Sequence, residues 1–109
     1  MKYLCKILVV LITLSLIACA KAPSQQQITQ AYFQGQTLFQ QQKFSQAYPL
    51  LMMSAKQGNA NAIYAVGYMM YNGLGVPRDQ VQALLWLQKA AKLGNIRAIE
   101  ALQRLDTAN

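Results

Sequence analysis

The side chains able to do acid–base chemistry in this chain of 109 residues are few. Its acids are Asp79, Glu100 and Asp106, and it has no histidine. A hydrolase needs a base within reach of its nucleophile. Asp79 stands where it would cap a helix, and the other two acids lie near the C-terminus. Metal centres draw on clusters of His, Cys or carboxylate, and the chain offers none. Gly73-Leu74-Gly75 lacks the Lys-Ser/Thr and the preceding strand of a phosphate loop. These residues predict a protein that is not an enzyme and needs no metal or cofactor. Two other features have chemical character. One is Cys19. The other is a stripe of Asn61, Tyr64, Tyr68, Tyr71 and Asn72, whose spacing places them on one face of a helix, opposite Ala62, Ala65, Val66 and Met69. Tyrosine offers a large contact area with two χ angles and a polar tip. The stripe reads either as a binding surface or as packing between neighbouring helices.

Cys19 ends a segment with its own logic. Lys2 and Lys6 precede an uncharged run from Ile7 to Ala18, which at 12 residues is short for a bilayer span, since a span takes roughly 20. A basic start, an apolar centre and a small-residue end describe an export signal over residues 1–18. Leu16-Ile17-Ala18-Cys19 resembles the lipobox of bacterial lipoproteins. That resemblance implies cleavage before Cys19 and a diacylglyceryl group, with palmitate, on its thiol. Stable anchoring needs more than one acyl chain, as that family supplies. Ala20, rather than aspartate, leans toward the outer membrane, with the protein facing the periplasm of the cell envelope. Cys5 leaves with the signal, so the mature chain has no thiol left for a disulfide. Loss of Lys2 and Lys6 leaves eight basic residues against three acidic, a charge of +5. These charges are scattered rather than clustered, which argues against nucleic acid as a partner.

The elements that must carry the stripe follow from a repeat. After a flexible tether over residues 19–27, helical periodicity begins near Ile28 and the domain extends over 28–109. "LLMMSAKQGNANA" from Leu50 and "WLQKAAKLGNIRA" from Trp86 match at Leu51/Leu87, Ala55/Ala91, Lys56/Lys92, Gly58/Gly94, Asn59/Asn95 and Ala62/Ala98, always 36 residues apart. Gly73 to Pro77 breaks one helix from the next, with Asp79 as the following cap. The stretch "AIYAVGYMMYNGLGVPRDQVQALLWLQKAAKLGNIRA" resembles the Sel1-like repeat, a relative of the tetratricopeptide repeat, at Gly67, Gly73, Gly75, Asp79, Ala83, Trp86, Ala90, Ala91 and Gly94. Met70 replaces the family's tyrosine and Tyr71 follows it, which could turn an aromatic toward the open face. The upstream unit has a shorter, tetratricopeptide-like turn, and Pro49 falls in about the first turn of its second helix.

The resemblance implies an all-α fold, a short right-handed α-solenoid of antiparallel helix pairs with a C-terminal capping helix. The helices are expected at Ile28–Gln41, Phe44–Gln57, Ala60–Asn72, Asp79–Leu93 and Ile96–Asp106. It further implies that first helices line a concave groove. The groove would take Tyr32, Gln36 and Phe39 from the first helix and Arg97 and Arg104 from the last, beside the stripe of Asn61, Tyr64, Tyr68, Tyr71 and Asn72. Asn61 and Asn72 would bond a partner's backbone, and the arginines at one end would favour an acidic group. Trp86, Met52 and Met53 are assigned to the core or the convex side. The function so implied is a membrane-anchored scaffold or adaptor for a protein or peptide partner. The alternative is a structural outer-membrane or peptidoglycan-associated lipoprotein without a dedicated groove. Two units and a cap are near the minimum for a stable array, so the domain is either modestly stable or a homodimer.

Replacing Cys19→Ser should block both acylation and signal removal. Radiolabelled palmitate should enter the wild-type protein and not the variant, and the variant should keep the mass of the full precursor.

Overall fold

The computed structural model describes residues 2–18 and 22–108. Helix α1 spans Lys2–Ala18, α2 Gln25–Gln40, α3 Phe44–Lys56, α4 Ala60–Asn72, α5 Gln80–Lys92 and α6 Ile96–Thr107. Among the described residues there is no strand, and no helix is long and apolar enough to cross a membrane. Cys19, expected to carry the lipid, lies outside the described residues.

From α2 onward each helix packs on the next: α2 on α3, α3 on α4, α4 on α5 and α5 on α6. The result is an α-solenoid, as the repeat implied. Several repeat partners occupy equal environments. Ala47 and Ala83 are fully buried, as are Ala62 and Ala98, and Leu51 and Leu87 are buried. Asn59 and Asn95 each cap the following helix, the side-chain oxygen accepting from the amides of Ala62 at 3.1 Å and Ala98 at 3.0 Å. Those caps satisfy amides that a helix start leaves without a partner. Asp79 caps α5 in the same way, accepting from Gln82 N at 3.0 Å.

Three expectations are corrected. The helical domain begins at Gln25, not Ile28, because Ser24 and Gln27 form a capping box: each side chain bonds the other's backbone amide. The tether is shorter accordingly. Helix α3 opens at Phe44 as expected, but Pro49 is then its sixth residue and lies in the second turn rather than the first. It cannot supply the amide that would ordinarily bond the Ser45 carbonyl. Gln41, Gln57, Asp79 and Leu93 are caps rather than helical residues, which shortens those ends by one, and α6 runs one residue further, to Thr107.

The Gly-rich turn after α4 does more than separate two helices. Gly75 has φ +69° and lies against the backbone of Phe44, with Ser45 N 2.8 Å from where a Cβ would stand. The turn of the second unit thus rests on the start of α3 in the first. Two features, a close approach to main chain at Gly75 and a buried hydroxyl at Ser54, yield stability predictions. Gly75→Ala would combine a left-handed backbone with a clash against main chain, costing about 2–4 kcal/mol. Gly58→Ala shares the positive φ but meets nothing within 4 Å, so it should cost about 1 kcal/mol. Urea unfolding midpoints should rank wild type, then Gly58→Ala, then Gly75→Ala. The opposite sign is expected at Ser54. It is fully buried and its hydroxyl has no hydrogen-bond partner, while its repeat counterpart 36 residues on is Ala90. Ser54→Ala should therefore stabilise by about 1 kcal/mol in the same measurement.

Candidate groove on the inner helices

Helices α2, α4 and α6 present one common face, and two cavities open on it, each of about 450 Å³. The first lies between α2 and α4. Tyr32, Gln36, Phe39 and Gln40 form one wall, Asn61, Tyr64, Ala65 and Tyr68 the other, and Leu51 of α3 the floor. The second lies between α4 and α6. Tyr64, Tyr68, Tyr71 and Asn72 form one wall, Arg97, Glu100, Ala101 and Arg104 the other, and Leu87 of α5 the floor. Tyr64, Tyr68 and Arg97 line both.

The second cavity is the repeat copy of the first. The α2 wall maps onto the α4 wall at an offset of 32, Tyr32 to Tyr64 and Phe39 to Tyr71, one helical turn less than the repeat because the upstream turn is shorter. The floors map at 36, Leu51 to Leu87, and so do the far walls, Asn61 to Arg97, Ala65 to Ala101 and Tyr68 to Arg104. Shape is conserved between the copies while chemistry changes. The far wall of the first is amide and phenol, and that of the second is charged.

All ten residues expected on the groove line one cavity or the other. The tyrosines are both packed and open. Tyr64 and Tyr71 are half-buried, whereas Tyr68 keeps 42% of its surface exposed. The Tyr68 ring stands 6.0 Å edge-on from Phe39 and 6.3 Å from Tyr64, a separation at which aromatic pairs attract. Met70 packs against the core and Tyr71 turns to the groove, as the Met-Tyr order suggested.

Two details differ from expectation. Asn61 and Asn72 already have partners within the chain. Asn95 Nδ2 donates to Asn61 Oδ1 at 2.8 Å, and Asn72 Nδ2 donates to the Tyr68 carbonyl at 2.9 Å. Their amides therefore set groove geometry before they meet any partner. Asn95 thereby joins α6 to α4 while capping α6. The second correction concerns charge. Arg97 is not at one end but on the boundary of the two cavities, and Arg104 is paired with Glu100 at 3.5 Å in an exposed i, i+4 contact. Burial pushes the Tyr32 phenol up, partly offset by the Arg97 charge and the Asn61 amide.

Sequence reasoning missed the floors. Leu51 and Leu87 figured in the sequence only as matching positions of the repeat; both are buried, and each closes a cavity from below. Their shared offset was the signal available. Trp86 sits half-buried on α5 against the core, with Lys89 Nζ 5.7 Å from its ring centroid. Among the described residues no cluster of His, Cys, Asp or Glu could hold a metal.

Comparison with known proteins agrees with this geometry. Residues 60–95 match the model of the Sel1 repeat. The chain resembles the chitin synthase regulator SKT5 of Malassezia restricta, 42% identical over 64 residues. It also resembles the ERAD-associated E3 ubiquitin-protein ligase component HRD3A of Arabidopsis thaliana, 43% identical over 56 residues. Those stretches are 59% and 50% of this chain but only 4% and 8% of the relatives' lengths. A solved Sel1 repeat protein from Oxalobacter formigenes superposes with a TM-score of 0.68 at 35% identity, over 72% of this chain and 24% of that one. Residues 60–95 thus match the Sel1 repeat, and the helical domain described above has the solenoid fold of a solved Sel1 repeat protein.

Proposed function

We propose that this chain is an envelope scaffold, exported by residues 1–18, acylated on Cys19, and held at the outer membrane with its groove open to the periplasm. The groove binds a protein or peptide partner, and the chain performs no catalysis. One observation carries the binding reading: a single cavity design occurs twice, side by side, on the face shared by α2, α4 and α6. A continuous surface with a central aromatic ridge of Tyr64 and Tyr68 and leucine floors on either side suits side chains of an extended partner better than one compact small molecule. The two named relatives support it by analogy, since a synthase regulator and a ligase component are both named for service to another protein. The absence of histidine and the scatter of the three acids support a non-catalytic role. The export and lipid reading rests on Lys2, Lys6, the apolar run and Leu16-Ile17-Ala18-Cys19.

A photo-crosslinking residue placed at Tyr68, on the groove, should capture a discrete partner in intact cells, identified by mass spectrometry. The same residue at Val81, which is 72% exposed on α5, should not. A Tyr64→Ala, Tyr68→Ala double variant should lose partner capture by groove probes placed elsewhere, such as at Gln36, while its circular dichroism stays helical. Equal capture at 68 and 81 would remove the groove from consideration. Unfolding of the double variant would show that the rings serve packing alone.

A further inference from the structure

The two cavities meet at one cation. Arg97 lines both and is exposed, and it replaces the Asn61 of the preceding repeat. The remaining groove charges, Arg104 and Glu100, face each other at 3.5 Å and offset one another. Arg97 has no salt bridge among the described residues. The surplus positive charge of the groove therefore sits at its midpoint, with an apolar floor on each side, Leu51 under one cavity and Leu87 under the other.

Resting on the groove reading above, we infer that the groove selects a peptide segment with an Asp or Glu side chain at its centre and apolar residues on both sides, the carboxylate seated on the Arg97 guanidinium. The position of the cation decides between sources of the carboxylate. A C-terminal carboxylate bound at Arg97 would end the chain there and leave one cavity empty. A side-chain carboxylate lets the segment continue into both. The guanidinium fork matches a carboxylate with two parallel hydrogen bonds. Tyr32, near enough to Arg97 to feel its charge, adds a neutral hydroxyl to the first cavity. The flanking residues should be aliphatic or aromatic, because the floors are leucine and Tyr64 and Tyr68 line both cavities.

The test uses the full chain in detergent micelles and pools of acetylated, amidated heptapeptides. Flanks are drawn from Leu, Ile, Phe, Tyr and Ala, and the central residue is fixed as Asp, Glu, Asn, Gln, Lys or Arg. A further pool carries apolar residues and a free C-terminal carboxylate. Bound peptides are quantified by mass spectrometry for the wild type, Arg97→Gln and Arg97→Glu, each checked for helicity. The wild type should enrich Asp and Glu centres over Asn and Gln by roughly fivefold to tenfold. That ratio should fall to near one in Arg97→Gln and turn toward Lys and Arg in Arg97→Glu. Peptide capture by the wild type without an acidic preference would overturn this inference and leave the groove reading intact. So would a preference that survives Arg97→Gln, or one for the free C-terminus pool. Failure of the wild type to capture any pool would sink the groove reading itself, and this inference with it.

Discussion

The closeness of two helix crossings decides most of what this fold can do. Gly35 meets Leu51 and Gly67 meets Leu87, and a Cβ on either glycine would stand about 3 Å from the leucine Cγ, at 2.8 and 3.0 Å. The first is closer than real Cβ atoms come and the second tighter than nearly all of them, so the backbone of each inner helix rests directly on the leucine of its partner. Those leucines are the cavity floors. One contact thus sets both the packing distance within a helix pair and the depth of the groove above it. Fully buried Ala47 and Ala83 stand one helical turn before the leucines on the outer helices and keep the same spacing. A protein interior packed to crystal-like density transmits such a choice rather than absorbing it.

Much of this was legible because the repeat writes its geometry twice. Matching positions at an offset of 36 located the helices, and the helical spacing of Tyr64, Tyr68 and Tyr71 gave the face they share. What escaped notice depended on contacts between distant residues or on polar residues with local roles. The glutamines after Ser24 looked like tether, yet Gln27 completes a capping box that starts α2 three residues early. The Asn95–Asn61 bond joins residues 34 apart, and no periodicity announces an amide pair. Arg97 was legible as a groove residue, but its place between two cavities follows only from where α4 stands relative to α6. The unbonded hydroxyl of Ser54 was hidden for the same reason. Its burial comes from neighbours, not from its own helix.

The groove also shows how a repeat protein separates scaffold from specificity. The positions that hold helices together change little between units: Ala62 and Ala98, Leu51 and Leu87, Asn59 and Asn95. The positions facing outward change freely, from Asn61, Tyr64 and Tyr68 to Arg97, Glu100 and Arg104. The same register therefore presents phenols in one unit and charges in the next without disturbing the core. The last helix shows the limit of the pattern. Ile63 is fully buried, while its counterpart Ile99 is 38% exposed: α4 packs against both α3 and α5, whereas among the described residues α6 packs mainly against α5.

The seat of the Gly75 turn on Phe44 and Ser45 has a bearing on cooperativity. In a solenoid, stability divides into the intrinsic stability of each unit and the coupling between neighbours. Contacts between successive helices supply one coupling. The turn supplies a second, at the far end of the helices, where main chain meets main chain and no side chain can yield. Two units fastened at separate points have little freedom to rock or melt independently. The expected thermal behaviour is a single transition for α2 through α5, with α6 fraying ahead of it. A short array held in this manner can act as one rigid body beneath a partner, even though each of its units alone would be too small to fold.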